Sequence, residues 1–303
     1  MARAAPYTVF DAVLQRKQLL SPHLMRVTLA GPRVADMATW APDQRVKLFF
    51  PAADGTPANL PRNDNWHADY RSIPVAQRPA MRTYTIRHLR TERCEVDIDF
   101  VLHGETGPAS YWAIHAKPGA GIQIVAPDRQ FTAVETGGFE WKPPRALKYL
   151  LLMADPTALP AALGILDELA ALAEPPRAQV LFEIESADDK LPTPIWQGLS
   201  LQWLIRDQAP GAQAGTLMAA ALRALDLSAF AVDAAAQAAL AEVNIDEELL
   251  WETPRPNGNG FYGWIAGETA AVMDVRKYLI KECGIPHEML NLMGYWRYNR
   301  VGG

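Results

Sequence analysis

The chain has 303 residues, of which 49% are hydrophobic and 21% charged, with a formal net charge of -5 at pH 7. That length exceeds the usual size of one hydrophobic core, so two domains are expected, and the acidic balance argues against a general polyanion binder, nucleic acid included. Its two cysteines, Cys94 and Cys283, form no CxxC pair, so the sequence carries no sign of a metal centre or a redox dithiol.

The opening residues, MARAAPYTVFDAVLQRKQ, lack the apolar core of a signal peptide. From Tyr7 to about Phe131, short β-rich runs separated by turn residues follow one another: TVFDAVLQR, HLMRVTLAG, QRVKLFFP, MRTYTIRHL, CEVDIDFVLH and GIQIVAP. Such spacing predicts an antiparallel barrel. The alternation from Glu95 to Val101 predicts a strand with one wet face. Asn59 to Arg78, polar and proline-rich, reads as an excursion over the surface.

EWKPPR, at Glu140 to Arg145, reads as a linker. Beyond it the pattern changes. Leu147 to Ala154 is a continuous apolar run, followed by a turn and a helical stretch from Leu159 to Ala173; Gln179 to Glu185 and Ser200 to Ile205 read as further strands. Ala214 to Leu225 and Ala229 to Val243 read as helices, the second leading into an acidic cluster at Asp246 to Glu248. Phe261 to Ala266 is then a strand, Thr269 to Cys283 a helix and Leu290 to Tyr295 a last strand. Strands alternating with helices predict a parallel sheet covered on both faces. The most apolar stretch, Leu147 to Leu172, is broken by Asp155, Pro156 and Pro160 before it spans a bilayer. A cytoplasmic protein without membrane insertion is expected, a monomer or weak dimer.

Two motifs about 20 residues apart carry chemistry. In RTYTIR, strand alternation sends Arg82, Tyr84 and Ile86 to one face and Thr83, Thr85 and Arg87 to the other. Tyr84 can stack on an isoalloxazine, Thr85 can hydrogen bond near its N5, and Arg82 and Arg87 can neutralise a pyrophosphate. In HGETGPAS, Gly107 and Pro108 make a turn, and Ala109 and Ser110 open a short helix whose first N–H groups can face phosphate. His103 can touch the ribityl or adenine side. Together these residues point to FAD, and to no acid or base catalyst, with Tyr84 and Thr85 at the flavin edge.

The second half lacks GxGxxG. Asp155, Pro156 and Thr157 fall between a strand and a helix, where open α/β sheets bind ligands, and in WIAGE Gly267 is placed to admit a ligand closely. NADPH or NADH is expected at these two loops. Lys47, Arg129 and Arg297 are candidates for holding an anionic substrate, and Trp296 for packing against the flavin.

These motifs, in this order, resemble the siderophore-interacting protein family, flavin-dependent ferric-siderophore reductases related to the ferredoxin-reductase fold. The resemblance spans nearly the whole chain: VKLFFP, RTYTIR, DFVLHGETGPASYWA, PGAG, ADPTALPA, WIAGE followed by Arg276, and GYWR at Gly294 to Arg297. It implies an FAD-binding antiparallel β-barrel over 1–140 and an α/β NAD(P)H-binding domain with a parallel sheet over 146–303. By the same resemblance Arg82, Tyr84, Thr85, Arg87, Val101, His103, Gly107, Ala109 and Ser110 would bind FAD, flanked by Ile86 and Pro108. The substrate would be a ferric siderophore, reduced to release ferrous iron. Two departures stand out: Pro156 replaces the family's acidic residue and should stiffen the turn, and the chain reads APDRQF at Ala126 to Phe131 where the family often has a glycine pair. A flavin reductase for a quinone or an electron-transfer protein, and a non-catalytic siderophore-binding protein, remain alternatives on the same residues.

Overall fold

In the computed structural model of the chain, residues 6–52, 55–63, 65–105, 107–131, 137–230, 250–253 and 260–298 are described. They fall into two units, residues 1–139 and 140–302.

The first unit contains β1 (Tyr7–Ser21), β2 (Leu24–Ala30), β3 (Arg45–Phe49), α1 (Trp66–Ser72), β4 (Met81–Thr85), β5 (His88–Arg90), β6 (Glu95–Val101), α2 (Pro108–His115) and β7 (Gly121–Pro127). Its seven strands form one antiparallel sheet in the order β4-β3-β7-β1-β2-β6-β5. Register shifts between Leu14 and Arg16 and between Leu19 and Ser21 interrupt the ladder of the long β1, and such irregularities bend a strand. The concave side is filled by Phe10, Leu14, Leu29, Leu48, Ile98, Phe100 and Ile124, with Trp112 and Ala113 of α2 over them.

MRTYTIRHL, expected as one strand, divides into β4 and β5. The reason is closure of the sheet. Ile86 donates its N–H to Gln44 O (2.9 Å) on the β3 side, whereas Arg87 donates to Asp97 O (2.9 Å) on β6. Alternation therefore fails at this point: Thr85 and Ile86 are consecutive and both buried.

The strand read with one wet face differs too. Asp97 and Asp99 are only 4% and 3% exposed because arginines cover them. Arg26 forms a two-pronged pair with Asp99 (2.7 and 2.8 Å) and Arg90 with Asp97 (2.7 Å twice), while Arg16 pairs with Glu95 (2.7 and 2.9 Å). Acid-bearing alternation marks the face correctly; cross-strand guanidinium groups decide that it is dry. The polar excursion at 59–78 also does structural work, since Leu60, Trp66 and Tyr70 cover Val9, Phe49 and Val125 on the convex side.

The second unit contains β8 (Tyr149–Ala154), α3 (Leu159–Ala170), β9 (Arg177–Ile184), β10 (Leu199–Ile205), α4 (Thr216–Arg223), β11 (Trp251–Glu252), β12 (Phe261–Glu268), α5 (Thr269–Lys277) and β13 (Leu290–Trp296). Strand order is β10-β9-β8-β12-β13-β11, parallel except for β11. The chain steps outward from β8 to β10 and then returns to β12 on the other side of β8, so the topological switch lies between β8 and β12. The helix expected through Cys283 becomes α5 plus a π-helical turn at Tyr278–Glu282. β11 was not anticipated; the buried Arg276 fixes it through two bonds to Glu252 (2.7 Å each). The expected helix at Ala229 to Val243 and the acidic cluster at Asp246 to Glu248 lie outside the described residues, apart from a 3₁₀ turn at Ser228–Phe230.

The start of the expected linker belongs to the second unit instead. Trp141 is buried, with its indole N–H on Glu168 (2.7 Å), and the carbonyl of Glu140 accepts from Tyr262 Oη (2.8 Å) and Asn291 Nδ2 (2.6 Å). Among the described residues no helix is long and apolar enough to cross a membrane.

The carboxylate ladder makes stability acid-sensitive. Hydrogen bonds from Arg16 and Arg90 hold Glu95 down to about 2 from 4.5. Burial alone would raise Asp97, but bonds from Arg90, His88 and Thr28 keep it far below its usual range. Folded-state values lie below unfolded ones, so the stabilisation is complete above the ordinary carboxylate range and is lost as pH falls from there toward 2. Urea unfolding at a series of pH values should show this decline, and Asp97→Ala should remove part of it while costing about 3 kcal/mol at neutral pH.

Candidate active site

Closure of the first sheet brings together most of the residues singled out in the sequence. Arg82 and Tyr84 lie on one face of β4, opposite Leu48 and Val46 of β3. The ring of Tyr84 packs on Phe100 of β6, centroids 4.3 Å apart, and this burial pushes its phenol well above the usual value. From the end of β6, the Val101 carbonyl accepts from Ser110 Oγ (3.4 Å), which also lies 3.2 Å from His103 Nε2. Tyr84 thus ties β4 to β6, and Ser110 ties α2 to β6. Phe100, which backs Tyr84, was not singled out from sequence; its place in the strand alternation was the available signal.

The donor set fits FAD. Arg82 donates to the Met81 carbonyl (2.7 Å) and supplies a permanently charged guanidinium suited to a phosphate. Gly107 precedes α2 at φ 89°, and nothing lies within 4 Å of where a Cβ would stand. Pro108, Ala109 and Ser110 form the first turn of α2, whose leading amides have no partner within the helix. Thr85 is buried next to Tyr84, and Arg87 Nη1 lies 3.1 Å from His88 Nε2 on the far side of the closure.

Of the substrate candidates, Lys47 and Arg129 are in the first unit and Arg297 in the second. Lys47 donates to Thr83 Oγ1 (2.6 Å), and burial lowers its pKa, with the neighbouring Arg45 adding to the effect. Arg129 is exposed and donates to Ala35 O (3.0 Å).

In the second unit, Asp155 stands at the carboxyl edge beside the switch point and is 1% exposed. Its Oδ1 accepts from Thr157 N (2.9 Å) and Thr157 Oγ1 (2.6 Å), and its Oδ2 from the indole N–H of Trp296 (2.6 Å). Burial raises its pKa and these bonds oppose the rise. Asp155 therefore places Trp296 and Thr157 rather than presenting its own carboxylate. Gly267 was expected to make room for a ligand; a Cβ there would instead lie 2.9 Å from the Asp155 carboxyl, so its small size serves Asp155. Glu268 turns inward as well, taking the N–H groups of Ala270 (2.6 Å) and Ala271 (3.0 Å) at the start of α5.

Residues 13–131 match the siderophore-interacting FAD-binding domain and residues 147–299 the siderophore-interacting protein domain. The chain belongs to the siderophore-interacting protein family, and its first unit is an FAD-binding domain. It is 27% identical over 286 residues to the ferric vibriobactin reductase ViuB of Vibrio cholerae, covering 93% of this chain and 87% of that protein. Its fold is shared with the siderophore-interacting protein SipS from Aeromonas hydrophila (TM-score 0.68, 22% identity, covering 97% of this chain and 93% of that one). A siderophore utilization protein from T. fusca gives a TM-score of 0.69 at 24% identity, covering 99% of this chain and 97% of that one.

Two outcomes are expected. Arg82→Ala should weaken FAD binding about tenfold or more, as loss of a charge-assisted contact does, read by titrating apoprotein with FAD and following flavin fluorescence. Gly267→Ala should cost about 1–3 kcal/mol through overpacking against Asp155, read by thermal unfolding, with a matching change in Trp296 fluorescence.

Proposed function

We propose that this protein is an NAD(P)H-dependent ferric-siderophore reductase. The observation that carries the reading is the convergence of Arg82, Tyr84, Val101 and the Gly107–Ser110 turn at the closure of the first sheet, in a chain alignable over 93% of its length with a ferric vibriobactin reductase. When bound, FAD supplies the conversion the reaction needs, taking two electrons together from a nicotinamide and releasing them singly to ferric iron.

The chain's own residues then have defined tasks. Arg82, Arg87 and the amides of the α2 turn hold the pyrophosphate. Tyr84, braced by Phe100, holds the ring plane. At the carboxyl edge of the second sheet, Asp155 fixes Trp296 and Thr157 beside the switch point, where doubly wound sheets receive nucleotides. Lys47 and Arg129 provide local positive charge on a chain of net charge -5, which raises the local concentration of an anionic chelate. The substrate iron is gripped by hard oxygens in the ferric state; reduction to the softer ferrous ion weakens that grip and frees it.

The test is an anaerobic titration of FAD-loaded protein with NADH and with NADPH, followed by a ferric catecholate or hydroxamate and a ferrous chelator. The nucleotide should bleach the visible flavin band, and the ferric chelate should restore it with formation of the ferrous complex. Restoration by a quinone but not by ferric chelates would redirect the reading to another acceptor. A protein that takes up no FAD would end it.

A further inference from the structure

β9 is the neighbour of β8 on the outward side of the switch point. In doubly wound units the carboxyl end of that strand receives the adenosine ribose of a dinucleotide: an acid there takes the 2′-hydroxyl of NAD, and an available arginine takes the 2′-phosphate of NADP. Here the position is occupied by Glu185, the residue directly after Ile184 at the end of β9. Its carbonyl accepts from Asp207 N (3.0 Å), which fixes its backbone, and its carboxylate remains partly exposed, 45% by side chain.

An arginine is present, but it is committed. Arg206, just past the end of β10, pairs with Glu185, and its guanidinium lies 3.6 Å from Glu183. Glu183 is fully buried and takes the N–H groups of Gly215 (2.7 Å), Leu217 (3.2 Å) and Met218 (3.2 Å) at the start of α4. Swinging Arg206 toward a phosphate would leave that buried carboxylate with no cation beside it. The following turn is acidic. Ser186 Oγ accepts from Asp188 N (3.3 Å) and Ser186 N–H donates to Asp189 Oδ2 (3.1 Å), which leaves the exposed Asp188 as a second negative charge close to Glu185. Amides at the starts of α4 and α5 are already taken by carboxylates of the chain, Glu183 and Glu268, and in the turn before α3 Thr157 N and Ala158 N donate to Asp155.

We propose that the nucleotide site selects NADH over NADPH, with Glu185 as the specificity-determining residue that accepts the ribose 2′-hydroxyl and repels a 2′-phosphate. The inference rests on the reductase reading, and specifically on the second unit holding the nucleotide.

Titration calorimetry of the FAD-loaded protein with ADP-ribose and with 2′-phospho-ADP-ribose tests it apart from turnover. The native protein should bind ADP-ribose about tenfold or more tightly than the phosphorylated form. In Glu185→Gln, and in Glu185→Ser as a second variant, that gap should close, chiefly because the phosphorylated ligand binds better. Equal or tighter binding of 2′-phospho-ADP-ribose by the native protein overturns the inference. So does an equal loss for both ligands in both variants, which would assign Glu185 to the fold alone. In either case, flavin reduction by one of the two nucleotides leaves the reductase reading standing, whereas reduction by neither ends both.

Discussion

Two successive amides, those of Ile86 and Arg87, donate to strands that lie toward opposite edges of the same seven-stranded sheet. The arrangement of the candidate flavin site follows from that step. A strand continuing past Thr85 would keep turning its side chains alternately and would leave both sheet edges open. Instead the chain crosses from β3 to β6 within one residue, Thr85 and Ile86 both enter the interior, and Arg82 and Arg87 flank the crossing. Tyr84 is thereby pressed against Phe100 of β6, and α2 reaches the same strand end through Ser110 and Val101. The candidate cofactor residues converge because the sheet closes through them.

Both units bury carboxylates, but for different purposes. In the first, Glu95, Asp97 and Asp99 meet arginines from neighbouring strands, which pins β1, β2, β5 and β6 in register. In the second, Glu183 and Glu268 take helix N-terminal amides, where the helix dipole favours negative charge, and Asp155 takes the amides of the turn that leads into α3. Burial opposes ionisation of Asp155 and Glu183, and backbone amides, with Thr157 and Trp296 at Asp155 and Arg206 at Glu183, offset that cost. The carboxyl edge of the second sheet is cross-linked as a result. Asp155 shows what that cross-linking provides: one residue ties down the turn after β8, orients Trp296 at the end of β13 and requires glycine at position 267.

Much of this was legible in the residues themselves. Apolar runs and their punctuation located every strand among the described residues except β11, with β4 and β5 read as one, and the alternating order of the second unit, because periodicity and turn chemistry are local properties. RTYTIR and HGETGPAS supplied candidate cofactor residues by type, since arginine, aromatic, hydroxyl and glycine each imply one kind of contact. The misses have a common cause. The acids of β6 looked solvated because nothing local announces Arg26 and Arg90 on other strands. Gly267 looked like ligand space because Asp155, 112 residues earlier, was not known to fill it. Leu60, Trp66 and Tyr70 looked like loop because their partners Phe49 and Val125 belong to a different stretch of chain.

The sequence by itself determined which segments become strands and helices, that an all-antiparallel unit precedes a parallel one, and which residue types are on hand for a flavin. Tertiary structure alone decided where β4 ends, which carboxylates are dry, and that Glu183, Glu185 and Arg206 form one cluster at two adjacent strand ends. The division is physical. Backbone propensity and side-chain periodicity act over a few residues, whereas burial and charge pairing depend on neighbours that only folding brings within a few ångströms.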